Sequence, residues 1–453
     1  MESPLTKAMK RIRSLRQARA GSLCPQGRRL SRHSRNLLRA CLLVSLLLVG
    51  SLPATAQRRR ARRAPPATTP ATQSPQPAAN QAPVVAPQQS FDQLVAQANA
   101  AREADKIEEA IALYRQTVSL DPQWAEGWWY LATLYYDREN YAEAARAFKE
   151  TARFQPKAGA TWAMLGLCEF QLGRYDDALA HIQQGRALGI GDNVELTRVM
   201  RYHEGILSTL KGEFEKAQLT LGTLSYEGMN SEDFIIALGL SVLRRAMLPK
   251  QVDPNYSDRQ VIRRAGFAEH LNAQKNVSDA QREYELLARD FPKVPNVQYA
   301  YGRFLLANRD DDGALIAFQR ELENSPRHAL ARLQIAYLKL KNKDAKGGLQ
   351  LAEEAVRLYP KLPLGHYILG RLLLETGQAV RAIDELEIAR KMVPNEPKIY
   401  FALWRAYTKA NRKAEADQAR EAFTRYSQQS GEAAERGAVS GEAIPETETP
   451  AQP

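Results

Sequence analysis

The chain has 453 residues, a net charge of +12 and 44% hydrophobic residues, which allows more than one core or a repeat array. Its charge is uneven. Residues 1–63 hold sixteen Lys and Arg against one acid, Glu2, so the remainder is mildly acidic and a basic nucleic-acid-binding face is not supported. Cys24 and Cys41 lie in that leader, which leaves Cys168 alone in the body, where packing rather than a disulfide must supply stability.

Taken in chain order, Ala40 to Leu52 forms an apolar run of thirteen residues behind an arginine-rich stretch. As a helix it would span roughly 20 Å, short of the ~30 Å hydrocarbon core of a bilayer. Ala54-Thr55-Ala56 follows, so residues 1–56 read as a secretory signal with cleavage after Ala56. The expected location is exported, periplasmic in a bacterium. The alternative is an uncleaved membrane anchor at residues 40–52, because the arginines at 58–63 resist translocation. Residues 57–90 are rich in Arg, Pro and Ala and read as an extended linker without a core of its own. The same holds for a Gly-, Glu- and Pro-rich tail at 428–453.

From Phe91 the chain repeats with a period of 34. Units starting at 91, 125, 159, 198, 232, 261, 295, 329, 363 and 397 carry a small residue at the eighth place, with Trp404 as the exception. These are Ala98, Ala132, Gly166, Gly205, Gly239, Ala268, Gly302, Ala336 and Gly370. A second small residue follows twelve places later, as in Ala110, Ala144 and Ala178, where the helices of a hairpin cross most closely. Pro122, Pro156, Pro292, Pro326, Pro360 and Pro394 end the second helix of six units. Trp128, Leu131, Tyr135 and Phe148 read as core of the second unit, and Trp162 and Leu165 repeat the theme.

This pattern resembles the tetratricopeptide repeat (TPR). The resemblance implies an all-α fold, a right-handed superhelical solenoid of about ten helix hairpins. Two blocks are predicted, 91–228 and 261–427, separated at 229–260 by a degenerate repeat. In that repeat Phe234 to Met247 is expected to be helical, and 249–257 to be a loop interrupting the stack, since Pro249 and Pro254 exclude an ordinary second helix. The loop is a candidate hinge or contact site, and the alternative is a plain insertion on the convex side. Trp404 and the polar Arg420 suit a capping pair at the end of the stack.

Chemistry is sparse. The six histidines lack metal-type spacing. Asn308, Asp310, Asp312 and Gly313 resemble the start of a calcium loop, but Gln319 stands at its twelfth place, and Asp312 is expected to cap the following helix. No nucleotide or serine-nucleophile motif occurs. The expectation is a non-enzyme with no metal and no cofactor, which binds a protein or peptide partner and not nucleic acid.

The resemblance further implies that places 2, 5, 9 and 12 of each first helix face a concave groove. The fifth place gives Tyr299, Tyr367 and Phe401, and the ninth gives Arg303, Tyr337, Arg371 and Arg405. Arginine beside aromatic surface suits an acidic or carboxylate-bearing peptide. Trp129 and Tyr136 form a second expected patch in the second unit, whereas Trp128 is assigned to the core. The first functional reading is a partner-binding scaffold, in the cell envelope. The alternative is a non-catalytic or substrate-capturing subunit of a multi-subunit enzyme or transferase.

Overall fold

A computed structural model describes residues 90–191 and 193–435, with side chains described as far as residue 429. The predicted signal or anchor and the linker up to residue 89 lie outside these residues, as does the predicted tail from 436 on, whereas its first residues, 428–435, continue the last helix. Among the described residues no helix is long and apolar enough to cross a membrane.

Nineteen α-helices and no strands make up the described chain. The first eight form four hairpins: α1 (Phe91–Glu103) with α2 (Ile107–Leu120), α3 (Ala125–Asp137) with α4 (Tyr141–Phe154), α5 (Gly159–Gln171) with α6 (Tyr175–Leu188), and α7 (Val194–Leu210) with α8 (Phe214–Tyr226). After α9 (Glu232–Val242) and a 3-10 turn at Pro249–Gln251, five further hairpins follow. They are α10 (Arg259–Ala273) with α11 (Val277–Asp290), α12 (Val297–Ala307) with α13 (Asp311–Asn324), and α14 (Ala329–Lys341) with α15 (Ala345–Leu358). The last two are α16 (Pro363–Glu375) with α17 (Ala379–Met392), and α18 (Pro397–Lys409) with α19 (Lys413–Glu435).

Hairpin formation follows from the period. A Cβ added at Gly166, Gly302 or Gly370 would meet Ile182, Phe318 or Leu386 within 2.7 Å, so the small eighth place is the bed of a large residue sixteen positions later. Each first helix ends in a left-handed residue, for example Glu139, Gly173, Arg309 or Lys343. The next N–H then closes back on the helix, as Asn140 N–H does on the Tyr135 carbonyl at 2.9 Å. Asp310, not the expected Asp312, caps α13: its carboxylate accepts the Gly313 N–H at 2.9 Å.

Five of the turns between hairpins share a clamp that the sequence pattern did not announce. A donor at the fourth place of a unit reaches the carbonyl of the proline six residues earlier. Trp128 donates to Pro122 at 2.9 Å, Trp162 to Pro156 at 2.8 Å, His366 to Pro360 at 2.7 Å and Tyr400 to Pro394 at 2.6 Å, and Arg332 does the same to Pro326. Each clamp satisfies a carbonyl that a proline-terminated helix leaves open.

His366 is the clamp with a titratable ring, and its surroundings favour the protonated form. Its other nitrogen faces the Glu385 carboxylate at 2.6 Å, so both ring nitrogens point at acceptors. Burial by itself would lower its pKa, but the hydrogen bond to Glu385, the Pro360 carbonyl and the Glu385 charge outweigh it and raise the pKa above 6.5. The stability this contributes is complete below the unfolded value and lost as pH rises through the raised folded one. The urea midpoint is therefore expected to fall between pH 6 and 9, and His366→Gln should flatten that slope. Trp162→Phe should cost about 1 kcal/mol at every pH. An unchanged slope in His366→Gln would remove the assignment.

At the break between blocks, α9 stops at Val242, five residues before its expected end, because Arg244 takes a left-handed φ of 54° and the Arg245 N–H closes on the Leu240 carbonyl at 2.9 Å. The turn that follows is built into the structure. Leu248 is buried beside Ile206, Leu221 and Phe234, while Val252 is buried in the larger C-terminal cluster with Ile236 and Val261. No second helix pairs with α9 before α10 arrives, and α10 takes that role as well as its own. It packs along both α9 and α11. The α9–α10 crossing is backbone on backbone: a Cβ on Gly239 would lie 1.8 Å from the Ile262 carbonyl oxygen, and one on Gly266 would lie 1.9 Å from that of Ile235.

Polar contacts complete this joint. The Ser225 hydroxyl meets His270 at 2.5 Å, Gln218 donates to the Ser241 carbonyl at 2.9 Å, and Arg244 pairs with Glu215. Arg303 of α12 crosses to α8, donating to Gln218 at 3.2 Å with Glu215 at 4.0 Å.

Candidate functional site

The expected groove residues separate into three groups. Tyr299 is 1% exposed, in ring contact with Phe318 and His328, and Glu321 pins its turn by accepting the Asn296 and Tyr299 N–H groups at 2.9 and 3.1 Å. Tyr136 is 4% exposed against Tyr141. Neither can meet a partner, which corrects the expectation for both. The physical reason is general. Fifth-place residues such as Ala163, Ile236, Ala265 and Leu333 are buried like Tyr299, as are twelfth-place Thr209, Leu243 and Leu374. About half of the fifth and twelfth places are buried in this way rather than open to a groove.

Arg303 forms the second group. Its guanidinium is engaged by Gln218 and Glu215 and lies 6.0 Å from the Tyr299 ring centroid, so it belongs to the joint between blocks. Trp129 is half-buried and packs edge-on against Phe148 at 5.4 Å. It is not joined to the other expected residues.

The third group converges. Tyr367, Arg371, Phe401 and Arg405 line one cleft of about 360 Å³, together with Leu374, Lys398, Ala402 and Phe423. Here α18 is followed by no further hairpin among the described residues, so the fifth place is open and Phe401 is 42% exposed. Phe401 meets Phe423 at 5.4 Å and the edge of Trp404 at 5.9 Å, making an apolar wall. Arg371 lies over Tyr367, 5.5 Å from its centroid, and donates to its hydroxyl at 3.5 Å. Burial pushes the Tyr367 hydroxyl pKa up, against the lowering effect of Arg371. Tyr337 is half-buried on the neighbouring α14.

Charge in the cleft is unbalanced. Arg405 pairs with Glu375 at 2.7 Å, whereas no carboxylate among the described residues pairs with Arg371 or Lys398. Cation and aromatic wall together fit a carboxylate flanked by apolar atoms. Four lining residues escaped the sequence reading: Leu374, Lys398, Ala402 and Phe423. Lys398 stands at the second place of its unit, which the groove rule covers, while Phe423 is on α19, where no repeat position marks it.

The sequence profile described as "Tetratricopeptide repeat" matches residues 95–158, 131–193, 267–329 and 333–397, half of the chain. The unmatched stretch between 193 and 267 contains the α9–α10 joint. Two curated proteins of Schizosaccharomyces pombe are similar. Anaphase-promoting complex subunit 3 is 21% identical over 282 residues, 60% of this chain and 41% of that protein. The rRNA biogenesis protein rrp5 is 29% identical over 136 residues, 29% of this chain and 8% of that protein. The chain therefore spans less than half the length of either. Among solved structures, the APC/C hetero-tetramer Cut9-Hcn1 aligns over 75% of this chain and 87% of that one, at 13% identity and a TM-score of 0.34.

Proposed function

Since the chain belongs to the tetratricopeptide-repeat family, whose helical arrays serve as protein-interaction scaffolds, we propose that it is a non-catalytic scaffold holding an acidic partner segment in the cleft between α16, α18 and α19. The observation that carries this reading is the Arg371 guanidinium, set on Tyr367, facing an exposed phenylalanine wall and paired with no carboxylate among the described residues. A partner carboxylate would supply the missing charge, and its neighbouring side chain would cover Phe401 and Phe423.

The reading of the place of action rests on the leader sequence. The apolar run at 40–52 and the Ala54-Thr55-Ala56 site support export with cleavage after Ala56, and retention as an anchor is the alternative. Intact-mass measurement of the mature chain decides between them, because a first residue of Gln57 excludes the anchor. A second reading, a non-catalytic subunit of a larger assembly, draws on the name of the similar anaphase-promoting complex subunit.

Affinity capture from intact cells, followed by direct titration of the recovered protein, tests the scaffold reading. A saturable complex competed by a capped acidic peptide supports it. A complex indifferent to that peptide and to Arg371→Glu sinks it.

A further inference from the structure

A second cleft, of about 810 Å³, opens between α2 and the α3–α4 hairpin, and it shares no residue with the C-terminal one. Ile111, Leu131 and Trp128 line it with Tyr135, and Arg115 stands among its polar residues. Trp128 is partly buried and packs against the core, as its repeat position implies, and its remaining surface lines this cleft.

The fold shows what this cleft lacks. One period of 34 later, Arg115, Trp128, Tyr135 and Ala147 become Lys149, Trp162, Glu169 and His181. In that later groove the Glu169 side chain is 0% exposed and lies between Lys149 at 3.5 Å and His181 at 2.5 Å. His181 in turn stacks on Trp162, with ring centroids 5.3 Å apart. Cation, carboxylate and planar ring thus fill the space internally. In the earlier groove the cation and the indole are kept, but the carboxylate is replaced by Tyr135 and the ring by a methyl group, Ala147.

The earlier groove is also short of negative charge. Arg138 pairs with Glu108 at 3.0 Å and Arg146 with Glu143 at 2.6 Å, whereas no carboxylate among the described residues pairs with Arg115. The Trp128 indole is held in place by the Pro122 carbonyl, while Ala147 is too small to cover its face as His181 covers that of Trp162. The volume lies in the range of sites that take a few side chains.

We propose that this groove binds an extended segment of another protein that carries a Glu or Asp side chain next to a planar or large apolar one. The incoming carboxylate pairs with Arg115, doing for this groove what Glu169 does one repeat later. The neighbouring side chain stacks on Trp128 in the way His181 stacks on Trp162.

The test uses the full chain and three peptides blocked at both ends: acetyl-Gly-Glu-Phe-Gly-amide, the same peptide with Gln for Glu, and the same with Ala for Phe. Binding is followed through the indole N–H resonances of the five tryptophans, assigned by single replacement. The Glu-Phe peptide should shift the Trp128 resonance and bind at least about tenfold more tightly than either analogue, the difference expected for one charge-assisted contact. The variant R115K/Y135E/A147H carries the filling that the chain already uses one repeat later, and it should abolish the shift. Arg115→Gln, a single exposed change, provides the same comparison should the triple variant lose helicity. Arg371→Glu should leave this binding unchanged, which separates it from the C-terminal cleft. Equal binding of the Gln peptide, retention by Arg115→Gln, or no Trp128 shift at millimolar peptide would each overturn the proposal.

Discussion

Gly239→Ala is expected to destabilise the protein by about 3 kcal/mol, although the same change in most helices is favourable. Alanine normally gains up to about 1 kcal/mol over glycine in a helix interior. At Gly239 the new Cβ would stand 1.8 Å from the Ile262 carbonyl oxygen and 3.0 Å from its side chain, so α9 and α10 must separate. Overpacking of this kind costs about 1–3 kcal/mol, and a backbone atom cannot turn aside as a flexible side chain can. Because α10 is the partner of both α9 and α11, separation weakens two interfaces at once, and in a repeat array stability is carried by such neighbour interfaces. Gly222→Ala in α8 is the control. Its Cβ would meet only the Ala273 methyl, at an ordinary 3.8 Å, so a gain of about 0.5–1 kcal/mol is expected there. Urea titration of the two variants against wild type checks both signs. A neutral or stabilising Gly239→Ala would mean that the close crossing is not what holds the two blocks together.

Charge reversal of Arg371 should lower affinity for the recovered partner by about 100-fold, while Arg303→Ala should change it less than about threefold. A carboxylate bonded to a charged partner contributes about 1.5–3 kcal/mol, and reversal adds repulsion. Arg405→Ala should have a smaller effect than Arg371→Glu, since Glu375 already holds the Arg405 guanidinium. The Arg303 readout is stability instead. Loss of its contacts to Gln218 and Glu215 loosens the joint and should cost about 1 kcal/mol. Calorimetric titration gives the affinities and urea denaturation gives the stabilities. If Arg303→Ala weakened capture as strongly as Arg371→Glu, the division between joint and cleft would be wrong.

Much of the fold was legible because repeat signals are local. The small residues at the eighth place, the prolines and the 34-residue period act within one hairpin or on its immediate neighbour, and they lead to α1–α8 and α10–α19 with little ambiguity. The candidate site was legible only in part. Arg371, Phe401, Tyr367 and Arg405 were found by counting places, but the same count also selected Tyr299 and Tyr136. A repeat position says which way a side chain points from its own helix. It does not say whether the next helix lies over it.

The sequence by itself determined that this is an all-helical tetratricopeptide array with a break after its fourth hairpin, because hydrophobic spacing, small crossing residues and helix-stopping prolines all act over a few turns of chain. Tertiary structure decided the rest. It assigned α10 two partners, because Gly239 and Gly266 admit backbone contact. It drew Arg303 into a joint with α8, a contact no 34-residue period encodes. It left Phe401 open beside Phe423, and it left Trp128 beside an unfilled groove, because a small residue at position 147 matters only once α2, α3 and α4 surround it.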